Sequence, residues 1–121
     1  MAEYQALFYE TADGECPTQD FLDGLAPKIR GKVAKWFELL EREGPNLPRP
    51  YADAVRGKIR ELRLSFGGLH HRFLYFFYGK KIVVTHGFVK KTAAIPEGEI
   101  ARAERFMADF YQRLERGEIH L

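Results

Sequence analysis

Apolar residues recur at intervals of three and four residues in two long segments, and this spacing predicts amphipathic helices. The first helix is expected to begin at Pro27 and to end before Gly44-Pro45, with an apolar stripe formed by Ile29, Val33, Trp36, Phe37 and Leu40. The second follows Pro96, and its stripe consists of Ile100, Ala103, Met107, Phe110 and Leu114. Thr18 is a suitable N-cap for a shorter helix that contains Phe21, Leu22 and Leu25. The pattern therefore predicts three helices.

Alternating apolar and polar residues predict strands at residues 4–10, 58–66, 69–78 and 81–88. Gly67-Gly68 and Gly79-Lys80 are typical of tight turns, so the last three strands should form an antiparallel meander. Residues 45–57 are expected to be an irregular connection because they contain three prolines, and residues 89–95 a loop. The predicted fold class is α+β, with a small, mostly antiparallel sheet (an N-terminal strand plus the three-strand meander) packed with helices. Residues 1–121 are expected to form a single domain.

Basic residues are concentrated in one part of the chain. Ten of the nineteen Lys and Arg residues lie between Arg49 and Lys91, where Asp53 and Glu61 are the only acids. That segment has a formal charge of +8, whereas the remainder, with nine basic and fifteen acidic residues, has −6. Eight of the seventeen aromatic residues lie in the same segment, and basic residues interleaved with aromatic ones are typical of RNA-binding surfaces. Core aromatics with solvated basic residues on the opposite strand face would give the same composition.

The composition does not indicate a membrane, secreted or metal-binding protein. No apolar run is long enough to span a bilayer, and the first ten residues have no basic leader. The one cysteine, Cys16, has no Cys or His cluster near it in the sequence. We therefore expect a cytoplasmic protein with no membrane contact, no cofactor and no metal ligands.

Three motifs follow one another along the predicted meander. They are Glu61-Leu62-Arg63 on its first strand, Arg72-Phe73-Leu74-Tyr75-Phe76 on its second, and Gly87-Phe88-Val89-Lys90-Lys91-Thr92 at the end of its third. In this order and spacing, followed by Pro96 and a helix, the chain resembles the RelE/HigB-type toxins of bacterial toxin–antitoxin modules, particularly their phage-derived branch. The resemblance extends from about residue 4 to the last helix. It implies a RelE-like fold, cleavage of mRNA on the ribosome, and a partner antitoxin with a helix-turn-helix domain.

RNA cleavage without a metal proceeds by attack of a 2′-hydroxyl on the adjacent phosphate, which requires charge stabilisation and two proton transfers. Guanidinium groups bind phosphate in bidentate geometry, so Arg63 and Arg72 are the first candidates for catalysis. The alternative for Arg72 is a salt bridge to Glu61. Lys90 and Lys91 lie within the third motif and are candidates for holding a phosphate, with a solvated loop as the alternative.

The residues that transfer protons are less well defined by the sequence. Glu61 is a candidate base, although neighbouring arginines would lower its pKa, and its alternative role is to orient Arg63. His86 is a candidate because the reference pKa of histidine is near neutral. By alternation His86 shares a strand face with Val84 and Phe88, which favours a hydrogen-bonded core histidine instead. The identity of the general acid and base therefore stays open.

Other residues of the basic segment are candidate RNA contacts, namely Lys58, Arg60, His71, Lys80 and Lys81. His70 and His71 adjoin a predicted turn and are expected to face solvent or RNA. The expected partners are mRNA, the ribosome and the cognate antitoxin. Two other functions are compatible with the same residues. One is a ParE-like toxin of the same superfamily that inhibits DNA gyrase and cleaves nothing, and the other is an inactive phage-derived binding module.

Overall fold

The computed structural model describes residues 2–92 and 94–121, which form a five-stranded sheet with helices on both faces. The elements in chain order are β1 (Gln5–Phe8), α1 (Pro17–Asp23), α2 (Pro27–Glu43), a 3₁₀ turn (Gly44–Asn46), β2 (Ala52–Arg56), β3 (Ile59–Phe66), β4 (Leu69–Tyr78), β5 (Lys81–Lys90) and α3 (Glu97–Glu115). The strand order is β1-β5-β4-β3-β2. β1 is parallel to β5, and every other neighbouring pair is antiparallel. The predicted α+β class with a mostly antiparallel sheet is confirmed.

Proline and glycine set the ends of α2 as the sequence predicts. Pro27 occupies the first turn, and the helix ends at Glu43 because Gly44 adopts a left-handed φ of 55°. A Cβ atom at Gly44 would lie 2.3 Å from the Tyr4 ring, so a larger side chain does not fit there. The prediction for α1 is wrong in detail: Pro17 begins the helix, and the buried Thr18 donates its hydroxyl to the carbonyl of Val84 at 3.4 Å.

One strand was not predicted. Residues 52–56 lie in the segment expected to be irregular, yet they form β2, antiparallel to β3, with Ala52 opposite Leu62. The three prolines precede this strand and do not interrupt it. β2 is short and lies at the sheet edge, so it forms by pairing with β3 and not through a local hydrophobic pattern. β5 also continues to Lys90, two residues beyond the predicted end.

The two sheet faces carry separate cores. One core packs against α1 and α2 and includes Leu62, Phe73 and Val84, whereas the other packs against α3 and includes Leu74 and Phe88. The register of β4 and β5 shifts so that Leu74 is opposite His86 and Tyr75 is opposite Val84, which leaves Thr85 as the extra residue of a β-bulge. The bulge reverses the alternation of β5. The prediction that His86 shares a face with Val84 is therefore wrong.

Ion pairs and hydrogen bonds fix α3 across its face of the sheet. Arg56, at the end of β2, pairs with Glu97 at 2.7 Å and with Glu104 at 2.6 Å. Near the other end of the helix, the Tyr9 hydroxyl donates to the carboxylate of Asp109 at 2.5 Å. In the part of the chain that the structure describes, no helix combines the length and apolar character needed to cross a membrane.

Candidate functional site

Two arginines from neighbouring strands face each other on the sheet face that carries α3. Arg63 on β3 is directly opposite Arg72 on β4. The backbone N–H of Arg63 donates to the carbonyl of Tyr51 at 2.8 Å, away from β4, so the two arginines form a non-hydrogen-bonded pair. The Cα atoms of such pairs approach to about 4.5 Å, and like charges in this position destabilise a sheet. A repulsive pair of this kind needs a compensating anion.

Glu61 supplies that anion. Its Oε1 lies 2.9 Å from Nε of Arg72 and 3.8 Å from Nε of Arg63. Burial raises the pKa of Glu61, even though the charges of Arg72 and Arg63 act to lower it. The arginines act on this pKa in the predicted direction, but the loss of hydration outweighs their attraction, so the net shift is upward.

Arg72 is 1% exposed, which is unusual for a cation. Its Nη1 donates to the carbonyl of His71 at 3.1 Å, and its Nε faces Glu61. Burial lowers the pKa of Arg72, and the nearby charge of Glu61 opposes that shift. The salt bridge given as the alternative for Arg72 is thus present. Arg63, with a side chain 30% exposed, is the more accessible of the two arginines.

Lys90 completes a cluster that we call the cationic cluster, consisting of Arg63, Arg72 and Lys90 around Glu61. Burial lowers the pKa of Lys90, and the positive charges of Arg72 and Arg63 add to that effect. Its ammonium group donates to the carbonyl of Ala94. Lys91 is exposed and lies just beyond the end of β5. Three of the four predicted phosphate-binding cations are therefore brought together.

His86 lies in the core beneath α3. It is 0% exposed, its Nε2 is 3.2 Å from Glu99, and its Nδ1 is 3.1 Å from the hydroxyl of Thr85. Burial, together with the charge of Arg102, lowers the pKa of His86 to about 4. A neutral, enclosed imidazole cannot touch a substrate at the surface. The geometry agrees with the alternative of a hydrogen-bonded core histidine.

The two adjacent histidines on β4 occupy opposite faces. His71 is 2% exposed, and burial lowers its pKa, so the expectation that it faces solvent or RNA is wrong. His70 is partly exposed instead, with its Nδ1 3.3 Å from the Ser65 hydroxyl. The strand alternation that places Arg72 in the cationic cluster also places His70 on the same face, two residues away.

Four other predicted RNA contacts do not approach the cationic cluster. Lys80 and Lys81 lie at the β4–β5 turn, where Lys80 pairs with Glu3 at 2.5 Å, and Lys58 lies 5.4 Å from the centre of the Tyr111 ring. From Arg72 to the end of β4 at Tyr78 the strand extends six residues, or about 20 Å, so Lys80 and Lys81 are far from the cationic cluster. Arg60 is opposite Tyr75 and projects from the other sheet face. RNA contact by these four residues remains a prediction.

A pocket of about 280 Å³ lies beside the cationic cluster at the open edge of β3. Its walls combine the two arginines with polar and aromatic side chains, and the full lining is Trp36, Pro50, Tyr51, Arg63, Ser65, His70 and Arg72. Sequence reasoning did not single out Trp36, Tyr51 or Ser65 as site residues, and it predicted for His70 only that it faces solvent or RNA. The signal for Ser65 and His70 was available, since both share a strand face with the predicted arginines. Trp36, on α2, and Tyr51, just before β2, are placed in the pocket by tertiary packing, which the sequence pattern does not indicate.

The described residues 2–92 and 94–121 contain no group of three or more His, Cys, Asp and Glu side chains placed to hold a metal ion. Cys16 is a free, partly exposed thiol that precedes α1.

Comparison with known proteins relates this chain to one family and one solved fold. Among solved structures, the crystal structure of the toxin–antitoxin complex RelBE2 from Mycobacterium tuberculosis contains a chain with a TM-score of 0.53 and 20% sequence identity. The similarity covers 73% of the present chain and 99% of that chain, and at this identity it shows a shared fold. No curated protein matches the sequence. A family model described as "Phage derived protein Gp49-like (DUF891)" matches residues 20–108. Because that match spans most of the 121 residues, the predicted resemblance to a phage-derived branch is confirmed, and the chain belongs to the phage-derived Gp49-like family.

Proposed function

We propose that this protein is the toxin of a type II toxin–antitoxin module and acts as an endoribonuclease on mRNA. The observation that carries the proposal is the cationic cluster itself. It holds three cations against one carboxylate, next to an open pocket, in an arrangement that costs stability. Clusters that perturb the pKa of several members at once are enriched at functional sites. The family membership and the RelE-like fold support the same proposal.

Arg63 is the residue best placed to bind the scissile phosphate. Its side chain is partly exposed, and a guanidinium offers two parallel N–H donors to phosphate oxygens. Arg72 forms part of the pocket wall but is 1% exposed, so its main role is to hold Glu61 and to add positive potential. Lys90 adds a third positive charge on the same face. Together these charges stabilise the negative charge that develops on the phosphorane.

Glu61 is the proposed general base. A carboxylate with a raised pKa is a better proton acceptor at neutral pH than an ordinary one. It removes the proton of the 2′-hydroxyl as the 2′-oxygen bonds to phosphorus. The bond from phosphorus to the 5′-oxygen then breaks, and His70 supplies a proton to that leaving oxygen. The products are a 2′,3′-cyclic phosphate and a free 5′-hydroxyl, without a metal or a cofactor.

The proposed partners follow from the family and from the charge distribution. The +8 segment suits a polyanion such as mRNA on the ribosome, and an acidic segment of an antitoxin would cover the same charges. The solved neighbour is itself a complex of a toxin and an antitoxin. We propose a helix-turn-helix antitoxin, encoded next to this gene, and a cytoplasmic site of action.

The test is induced expression of Arg63→Gln, compared with wild type and with the matched control Arg42→Gln. Both variants replace an arginine with glutamine, but Arg42 is exposed in the last turn of α2 and lies outside the basic segment. We expect wild type and Arg42→Gln to arrest growth and to produce new mRNA 5′ ends, and Arg63→Gln to do neither. Thermal unfolding of each purified variant checks that the fold is kept.

Three results would overturn the proposal. The first is a folded Arg63→Gln variant that cleaves mRNA as wild type does. The second is growth arrest with intact mRNA and accumulating DNA breaks, which indicates a gyrase-inhibiting toxin. The third is overexpression of wild type without any effect in cells that lack the antitoxin, which indicates an inactive binding module.

A further inference from the structure

The pocket at the open edge of β3 is more than an extension of the cationic cluster. We propose that it binds the nucleobase of a nucleotide next to the scissile phosphate, so that the site holds base and phosphate together. This inference rests on the proposed function, since it takes RNA as the ligand. Beyond the phosphate site, the proposal adds a subsite for a nucleobase, which is a flat aromatic group with hydrogen-bonding edges.

The pocket exists because β3 extends beyond its edge partner. The paired register of β2 and β3 ends with Ala52 opposite Leu62. One further hydrogen bond follows, in which the N–H of Arg63 donates to the carbonyl of Tyr51. Alternate residues of a strand direct their backbone groups to the same side. The N–H and C=O of Ser65 therefore point, like those of Arg63, to the side of β3 where β2 no longer lies. An unpaired strand edge offers a donor and an acceptor side by side, which suits the edge of a base.

Aromatic residues form the other wall of the pocket. Trp36 and Tyr51 lie with ring centres 5.7 Å apart, and both are partly buried. Stacking on aromatic side chains is the usual way in which proteins bind unpaired bases. His70 adds a polar ring on the pocket wall, where its Nδ1 faces the Ser65 hydroxyl and its Nε2 remains for a ligand.

The base pocket and the phosphate site are mechanically joined through Arg63. The indole N–H of Trp36 donates to the carbonyl of Arg63 at 2.9 Å, and the carbonyl of Tyr51 accepts the N–H of Arg63 at 2.8 Å. The two aromatic residues of the pocket thus hold both backbone groups of the proposed phosphate-binding residue. A base seated in the pocket would place its own phosphate beside the Arg63 guanidinium, which is the alignment that in-line attack requires.

The chain contains a built-in reporter, because Trp36 is its only tryptophan. The probe is a dinucleoside monophosphate with a 2′-O-methyl group, which cannot be cleaved. The reference ligands are two analogues that keep the phosphate and each lack one of the two bases. Binding to the full-length protein is measured by calorimetry and by Trp36 fluorescence. We expect the dinucleotide to change the fluorescence, and the analogue that lacks the seated base to bind more weakly and to change it much less.

Two variants separate the base pocket from the phosphate site. Tyr51→Leu should weaken dinucleotide binding by about 5- to 150-fold, which is the loss typical of one base stack. It should leave nearly unchanged the affinity for the analogue that lacks the seated base, which is the analogue that binds wild type more weakly. Tyr51→Phe, which keeps the ring, should restore most of the affinity. Arg63→Gln should weaken all three ligands by the same factor. If Tyr51→Leu does not fold, the comparison of the three ligands on wild type gives the second test.

The possible outcomes are distinct. If Tyr51→Leu weakens the binding of the dinucleotide and of both analogues equally, or if saturating dinucleotide leaves Trp36 fluorescence unchanged, no base occupies this pocket. The proposed function survives either result as long as binding depends on Arg63. If none of the three ligands binds to wild type, the proposed function fails together with this inference.

Discussion

Glu61 and Arg72 form an ion pair that burial makes costly, and replacing both with apolar residues should remove that cost. The atoms are 2.9 Å apart, which corresponds to an attraction of about 6 kcal/mol at an effective dielectric constant of ~20. The side chains are only 11% and 2% exposed, so each loses hydration worth several kcal/mol. The pKa of Glu61 is raised and that of Arg72 is lowered, and both directions mean that lost hydration exceeds the attraction.

We therefore expect Glu61→Leu/Arg72→Met to be as stable as wild type or more stable, by up to about 1–4 kcal/mol. Each single variant leaves one charge buried without this partner, so each should be less stable than wild type, by roughly 3–5 kcal/mol. Urea unfolding of the four proteins gives the coupling free energy directly. The double variant should also fail to arrest growth, since it lacks the base and a cation of the proposed site.

Arg56 and Glu104 provide the matched control, because they approach to 2.6 Å with side chains 42% and 39% exposed. The same double replacement there should show a much smaller coupling free energy, because solvent screens an exposed pair. The reasoning is refuted if the two cycles give equal coupling, or if Glu61→Leu/Arg72→Met is less stable than wild type by more than about 2 kcal/mol. Full toxicity of the double variant would show that the pair is not part of the active site.

Three further predictions concern the surroundings of the site. Gly87→Ala should lower the free energy of unfolding by about 1–3 kcal/mol in urea, because its Cβ would lie 2.8 Å from the Phe73 ring. Burial lowers the pKa of His86 to about 4, so its neutral form contributes fully to the free energy of unfolding above pH 6.5, and this contribution is lost as the pH drops towards 4. The variant His86→Gln should show a weaker dependence of the unfolding free energy on pH in urea titrations. Trp36→Phe removes the indole donor to the Arg63 carbonyl, so it should cost about 0.5–1.5 kcal/mol and reduce mRNA cleavage; unchanged cleavage would contradict the positioning role.

The sequence predicts those parts of the fold that depend on local pattern. Alternation and the two turn sequences, Gly67-Gly68 and Gly79-Lys80, are enough to predict the meander, and proline and glycine define the ends of α2. These effects act within a few residues. The same alternation places Glu61 and Arg63 on one strand face, as predicted. β2 and the burial of His71 depend on what packs against them from distant parts of the chain. No property of residues 52–56 or of His71 alone contains that information.

The β-bulge at Thr85 is the clearest case of a feature that decides the site without a local signal. Val84 faces α2, and regular alternation would direct Lys90 to that same side, away from Arg72. The extra residue reverses the alternation, so that His86 and the residues at every second position after it face α3. Lys90 thereby joins the two arginines that come from other strands. The concentration of positive charge along the sequence supplies the cations, but it is the bulge that puts the third of them on the same face.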